Sequence, residues 1–150
     1  MRIERTDSTN KDFRSLVGLL DAGLKIIDGD EAPFFAQYNK IDQIRHVVVA
    51  YEYDTAVGCG AFKEYEPGIT EIKRMFVIET QRGKGIAAAI LDALEKWAVE
   101  EGFETAILET GNKMTAAIRL YEKSGYQRTP NYGQYIGVDS SVCMKKDLIR

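Results

Sequence analysis

The spacing of apolar positions along the chain changes several times, and each change marks an element. Ile3 to Arg5 reads as a short first strand. Phe13, Leu16, Val17 and Leu20 then recur at helical spacing, with Thr9 as N-cap, Asp12 at the third helical position and Gly23 at the expected end. Between residues 25 and 43 the period weakens, and Phe34, Phe35 and Tyr38 suit either one short helix or an aromatic-rich loop. From His46 to Tyr53 the run Val47-Val48-Val49-Ala50-Tyr51 is β-branched and aromatic, which favours a strand. Asp54-Thr55 turns the chain into a second strand, Ala56 to Tyr65. Pro67-Gly68 turns it again into a third, Ile69 to Val77.

Beyond Val77 the pattern becomes helical. Gln81-Arg82-Gly83-Lys84-Gly85 is a glycine-rich loop, and Ile86, Ile90, Leu94 and Trp97 follow on one helical face that Gly102 closes. Thr105 to Glu109 is a short apolar strand. Strand, loop, helix and strand therefore predict a βαβ unit with a parallel pair. Met114, Ala117, Ile118 and Tyr121 mark another helix ending at Gly125, and Tyr126, a polar loop and a strand from Ser141 to Lys145 follow. A meander and one crossover make a mixed α/β fold. No linker, repeat or low-complexity tract interrupts residues 1–150, which read as a single domain.

The glycine-rich loop is where the pattern turns into chemistry. A turn between strand and helix exposes backbone N–H groups at a helix N-terminus, where the dipole favours an anion. Gly83 and Gly85 permit tight backbone conformations, and Arg82 and Lys84 add positive charge at the same point, so a phosphate or pyrophosphate is the guest that fits. Two familiar phosphate loops fail on spacing. A P-loop would need glycine where Ile78 stands and Ser or Thr where Gly85 stands, and a dinucleotide fingerprint would need glycine at Ala88.

Arg82-Gly83-Lys84-Gly85-Ile86-Ala87 resembles the [QR]-x-x-G-x-[GA] signature of the GNAT superfamily of acetyl-CoA-dependent N-acetyltransferases. The strand Glu71-Ile72-Lys73-Arg74-Met75-Phe76-Val77 looks like that family's fourth strand. Downstream, Ala117-Ile118-Arg119-Leu120-Tyr121-Glu122-Lys123-Ser124-Gly125-Tyr126 is similar to its A-x-x-L-Y-x-x-x-G-[FY] helix and strand entry. The two motifs stand in order across residues 44 to 146. The resemblance implies a mostly antiparallel sheet flanked by helices, with a central parallel strand pair splayed to hold CoA. It implies a pantetheine arm on backbone groups of Phe76 and Val77, and a pyrophosphate on the amides of Arg82, Gly83, Lys84, Gly85, Ile86 and Ala87. The family often has asparagine seven residues before the helix tyrosine. Met114 stands there, so Asn112 is the nearest asparagine for the arm, beside Ala117 and Tyr121.

The same resemblance makes Tyr121 the general acid for the departing thiolate, with packing on the apolar helix face as its other reading. Glu71 and Glu109, one on each strand flanking the gap, are the candidates to take the amine's proton, directly or through water. A surface carboxylate paired with Lys73 is the alternative fate of such a glutamate. Tyr132, Tyr135, Phe34, Phe35 and Tyr38 could rim an amine pocket or simply pack. His46, at the head of an apolar strand, reads as structural.

Net charge −3 argues against a partner held by phosphate contacts alone, so no nucleic acid is expected. The two cysteines, Cys59 and Cys143, lack metal-site spacing and the chain has one histidine, so buried free thiols and no metal are expected. No apolar run approaches membrane-spanning length and the first residues do not read as a signal peptide, which points to the cytoplasm. The expectation is transfer of acetyl from acetyl-CoA to a primary amine, with a small cationic acceptor favoured by the acidic composition. A protein N-terminus, a lysine side chain or an amino acid stays open as acceptor, a non-catalytic CoA-binding module is the rival from another class, and homodimers are common in the family.

Overall fold

The computed structural model describes residues 1–31, 33–34 and 43–148. Among these, seven strands form one sheet in the order β1-β2-β3-β4-β5-β7-β6. They are β1 (Arg2–Thr6), β2 (His46–Glu52), β3 (Thr55–Glu66), β4 (Ile69–Val77), β5 (Thr105–Gly111), β6 (Gln127–Thr129) and β7 (Ser141–Asp147). All neighbours are antiparallel except β4 and β5, the parallel pair expected from the crossover. The three longer helices are α1 (Lys11–Asp28), α2 (Ile86–Glu100) and α3 (Thr115–Lys123).

The helices divide the core between the two faces of the sheet. On one face α1 buries Phe13, Leu16 and Val17 against Val47, Val49, Cys59 and Ala61. On the other, Ile86, Ile90, Leu91 and Leu94 of α2 pack with Val48, Val57, Phe62 and Leu108. The alternation of Val47, Val48 and Val49 between these clusters shows why β2 is apolar on both sides. α2 lies so close to β3 that a Cβ at Gly60 would stand 2.6 Å from Met75 Sδ and 2.7 Å from Leu94 Cδ1. Both cysteines are buried and free, and His46 stacks on Phe62 at 4.5 Å with Nε2 2.6 Å from Glu101, a structural histidine.

Two ends of α1 differ from the sequence expectation. Thr9 gives its N–H and hydroxyl to Asp7, so the cap passes to Asn10, which accepts from the Phe13 N–H at 2.9 Å. Gly23 does not end the helix, which runs on to Asp28 and stops at Gly29, with φ 55°. One glycine in a helix interior costs only about 1 kcal/mol, and Leu20 and Leu24 beside it are half-buried against the cleft. The short β6, too brief at three residues to show a period, follows the strand entry that the motif ending at Tyr126 implies. Phe35 and Tyr38 lie outside the described residues.

Two irregularities open the sheet at its centre. The parallel ladder joins only Ile69 to Thr105, Thr70 to Ala106 and Glu71 to Ile107, and β4 then continues to Val77 with no partner on that edge among the described residues. On its other edge, β4 carries a bulge: Lys73 faces Ala61 and Phe76 faces Cys59, so Arg74 and Met75 stand opposite Gly60 alone. Arg74 takes φ 60°, a left-handed conformation uncommon outside glycine.

Candidate active site

A cleft of about 120 Å³ lies where β4 and β5 part. Leu20, Leu24 and Asp28 of α1 wall one side, Met114, Ala117 and Tyr121 lie along another, and Tyr135 closes it from the loop before β7. Asn131 shapes that loop by donating from Nδ2 to the carbonyls of Tyr135 and Val138, each at 3.0 Å.

Both candidate glutamates reach this cleft, in different states. Glu71 is 5% exposed; its carboxylate accepts from the Tyr132 hydroxyl at 2.7 Å and lies 3.9 Å from Lys73 Nζ. The lysine pairing anticipated as a surface feature is therefore present, but buried. Burial lowers the Lys73 pKa, with Glu71 partly restoring it. Glu109 accepts from the Ser141 hydroxyl at 2.7 Å. Burial pushes its pKa up from 4.5 to about 7; Asp28 and Glu71 add to the rise, while Ser141 and Lys73 oppose it. A carboxyl poised near neutrality suits a general base. Tyr121 is 6% exposed, with its ring edge-on to Tyr126 at 5.8 Å. Burial raises its pKa and the Glu109 charge raises it further, so the hydroxyl keeps its proton and acts as a donor.

The glycine loop stands at the far end of β4. Gly83 and Gly85 have φ 80° and 82°, and open space lies where their Cβ atoms would be. Gly85 is the N-cap of α2 and brings no side chain, so no side chain caps the first turn's N–H groups. Ile86 is buried in the core, Ala87 is half-buried, and Arg82 and Lys84 are exposed. Arg82 Nε donates to the Val77 carbonyl at 2.9 Å, tying the loop to the strand end, and Lys84 Nζ donates to Gln81 at 3.0 Å. An uncapped helix terminus beside two side-chain-free positions fits a phosphate group.

Two residues expected at the cofactor stand outside the cleft lining. A Cβ at Gly58 would meet the Phe76 carbonyl at 3.0 Å, and the Ile78 N–H bonds the Val57 carbonyl at 2.9 Å. Phe76 thus turns its backbone toward β3, and strand alternation leaves Val77 and Met75 facing the gap. Asn112 is exposed and borders a separate hollow with Lys113 and Ser140, while Met114 takes the cleft position. Phe34 packs beside Tyr135 and Cys143 rather than at the cleft.

Arg74, Ser141 and the Tyr132–Glu71 bond escaped the sequence reading. In a strand of alternating faces the second of two adjacent basic residues would turn into the α2 core, and the bulge keeps Arg74 off that face.

The acetyltransferase (GNAT) family model matches residues 16–126. An IAA acetyltransferase of Azospirillum brasilense is 38% identical over 102 residues, 67% of this chain and 67% of its own length. A Klebsiella pneumoniae crystal structure, provisionally described as an acyl-CoA N-acyltransferase, superposes with a TM-score of 0.83 at 31% identity, covering 99% of this chain and 97% of that one. A GNAT family acetyltransferase of Elizabethkingia anophelis, solved with acetyl-CoA bound, shares the fold at 18% identity and a TM-score of 0.69, over 97% of each chain. A family match across three quarters of the chain, with a relative this similar, leaves one assignment: the chain belongs to the acetyltransferase (GNAT) family and is an acyltransferase.

Proposed function

We propose that residues 1–150 act as one domain that transfers the acetyl group of acetyl-CoA to the primary amine of a small acceptor, by direct attack in a ternary complex. The observation that carries this reading is the coincidence of the β4–β5 opening with Glu109 and Tyr121, along a strand whose C-terminal end leads into an uncapped helix. Acetyl-CoA supplies an activated thioester; the rest is the work of this chain's residues. The amides of the 82–87 turn would hold the pyrophosphate, and the gap-facing backbone of Met75 and Val77 would hold the pantetheine arm.

Glu109, as carboxylate, takes the proton from the incoming ammonium, leaving the amine lone pair free to form the C–N bond. Glu71 is committed to Tyr132 and Lys73, and its charge adds, after burial and Asp28, to what keeps Glu109 poised. Tyr121 faces the departing sulfur and donates to it as the C–S bond breaks. Its raised pKa makes full transfer to a thiolate, whose own pKa is roughly 8.5, uphill, so hydrogen bonding to the developing charge is its main contribution.

Calorimetric titration with acetyl-CoA tests the cosubstrate directly. Micromolar binding is expected, and a folded variant carrying Gly83→Glu and Gly85→Glu should lose it, because both side chains bring charge and bulk to the phosphate site. Absence of binding by the folded native protein would leave only the shared fold.

A further inference from the structure

Among the described residues lining the cleft, Arg74 is a buried charge that the transfer chemistry leaves unused. Its side chain is 2% exposed, and a single nitrogen, Nη2, meets Asp21 of α1, at 2.8 and 3.0 Å from the two carboxylate oxygens. Among the described residues, Nε and Nη1 have no hydrogen-bond partner. Those atoms carry three of the guanidinium's five N–H bonds. Leaving buried donors of a charged group unmade is costly, and the backbone adds the strain of φ 60° at a non-glycine residue. The bulge sets this arrangement. It lets Arg74 follow Lys73 onto the α1 face instead of alternating to the α2 face, where Met75 packs.

The cleft is therefore bipolar. Glu71, Glu109 and Asp28 make one part acidic, and Arg74 with Lys73 makes the neighbouring part cationic. An acceptor with only an amine would satisfy the first part and leave Nε and Nη1 of Arg74 without a partner, since Asp21 engages Nη2 alone. A molecule bearing both an amine and a carboxylate satisfies both, and a planar guanidinium fork is suited to a carboxylate. We propose that the acceptor is an amino acid in the broad sense, an amine that also carries a carboxylate, and that Arg74 binds the carboxylate while the amine lies toward Glu109. This rests on the acetyltransferase reading and narrows its acceptor.

The test is steady-state thiol release at saturating acetyl-CoA for α-, β- and ω-amino acids, each paired with its own primary amide. Amidation lowers the amine's pKa and so favours the amide chemically, which makes a preference for the acid a demanding result. At least one acid should exceed its amide in kcat/KM by roughly 30-fold, the worth of charge-assisted hydrogen bonds to a buried cation. Arg74→Gln should bring that ratio close to one while leaving the acetyl-CoA Kd within about threefold. A merely structural role, holding α1 through Asp21, would lower both members of every pair alike. Amides used as well as acids, an equal loss on both in Arg74→Gln, or a loss of acetyl-CoA affinity instead would each overturn the proposal. The native comparison stands even if the variant fails to fold. Thiol release with none of these acids or amides would overturn this proposal, and release with a polyamine in the same assay would show that the acetyltransferase reading survives it.

Discussion

Glu109 is the residue on which the pH behaviour turns. Its folded pKa of about 7 lies above the ordinary 4.5, so the folded protein binds this proton more tightly than the unfolded chain. Stability is then unaffected by this group below about pH 4.5, falls as pH rises from there through about 7, and carries the full cost of the buried carboxylate above that. Glu109→Gln should therefore gain in Tm relative to the native protein at pH 8 more than at pH 5. In catalysis the same group acts when deprotonated. The native kcat/KM should fall below pH 7 with an inflection from this carboxyl, and the variant should lose the inflection together with roughly 10²- to 10⁴-fold in rate. An unchanged inflection would move the base elsewhere. Glu71, Glu109 and Tyr121 were legible in the sequence because strand position and motif spacing place them. Arg74 was not, because a bulge one residue long reverses the face on which an alternating strand displays its side chains.

At the scale of elements, β4 and α2 appear in the sequence with their limits nearly intact, since Pro67-Gly68 and the 81–85 loop punctuate them strongly. α1 was half legible. Its apolar face is plain, but Asp7 captures Thr9 and moves the cap, and the helix passes through Gly23. Beyond that glycine the helix still supplies Leu24 and Asp28 to the cleft wall. At the β3–α2 contact, by contrast, two glycines admit the helix and no periodicity announces it. Gly60→Val should lower stability by about 1–3 kcal/mol in denaturant unfolding, because its side chain must displace Leu94 and Ile90 from a filled layer. A neutral result would mean that α2 can ride outward from the sheet at no cost.

Over the whole molecule, the order of elements was readable because a meander followed by a single crossover admits few sheet topologies. The extent of the parallel ladder was not readable in the residues themselves. Nothing in the composition of Lys73 to Val77 distinguishes a paired edge from an open one; only the resemblance pointed to a splayed pair. The three rungs that join β4 to β5 make the middle of the sheet a seam, with β1 to β4 on one side and β5 to β7 on the other. A seam of this kind writes itself into amide hydrogen exchange. Without ligand, the Val77 amide and those of Ile86 to Ala88 should trade their protons quickly, while the β2–β3 ladder beside them stays protected. Acetyl-CoA bound along that edge would act as a stand-in strand, slowing the first set at least tenfold and leaving the second untouched. Slowing on both sides alike would mean that the ligand stiffens the protein as a whole instead of completing its sheet.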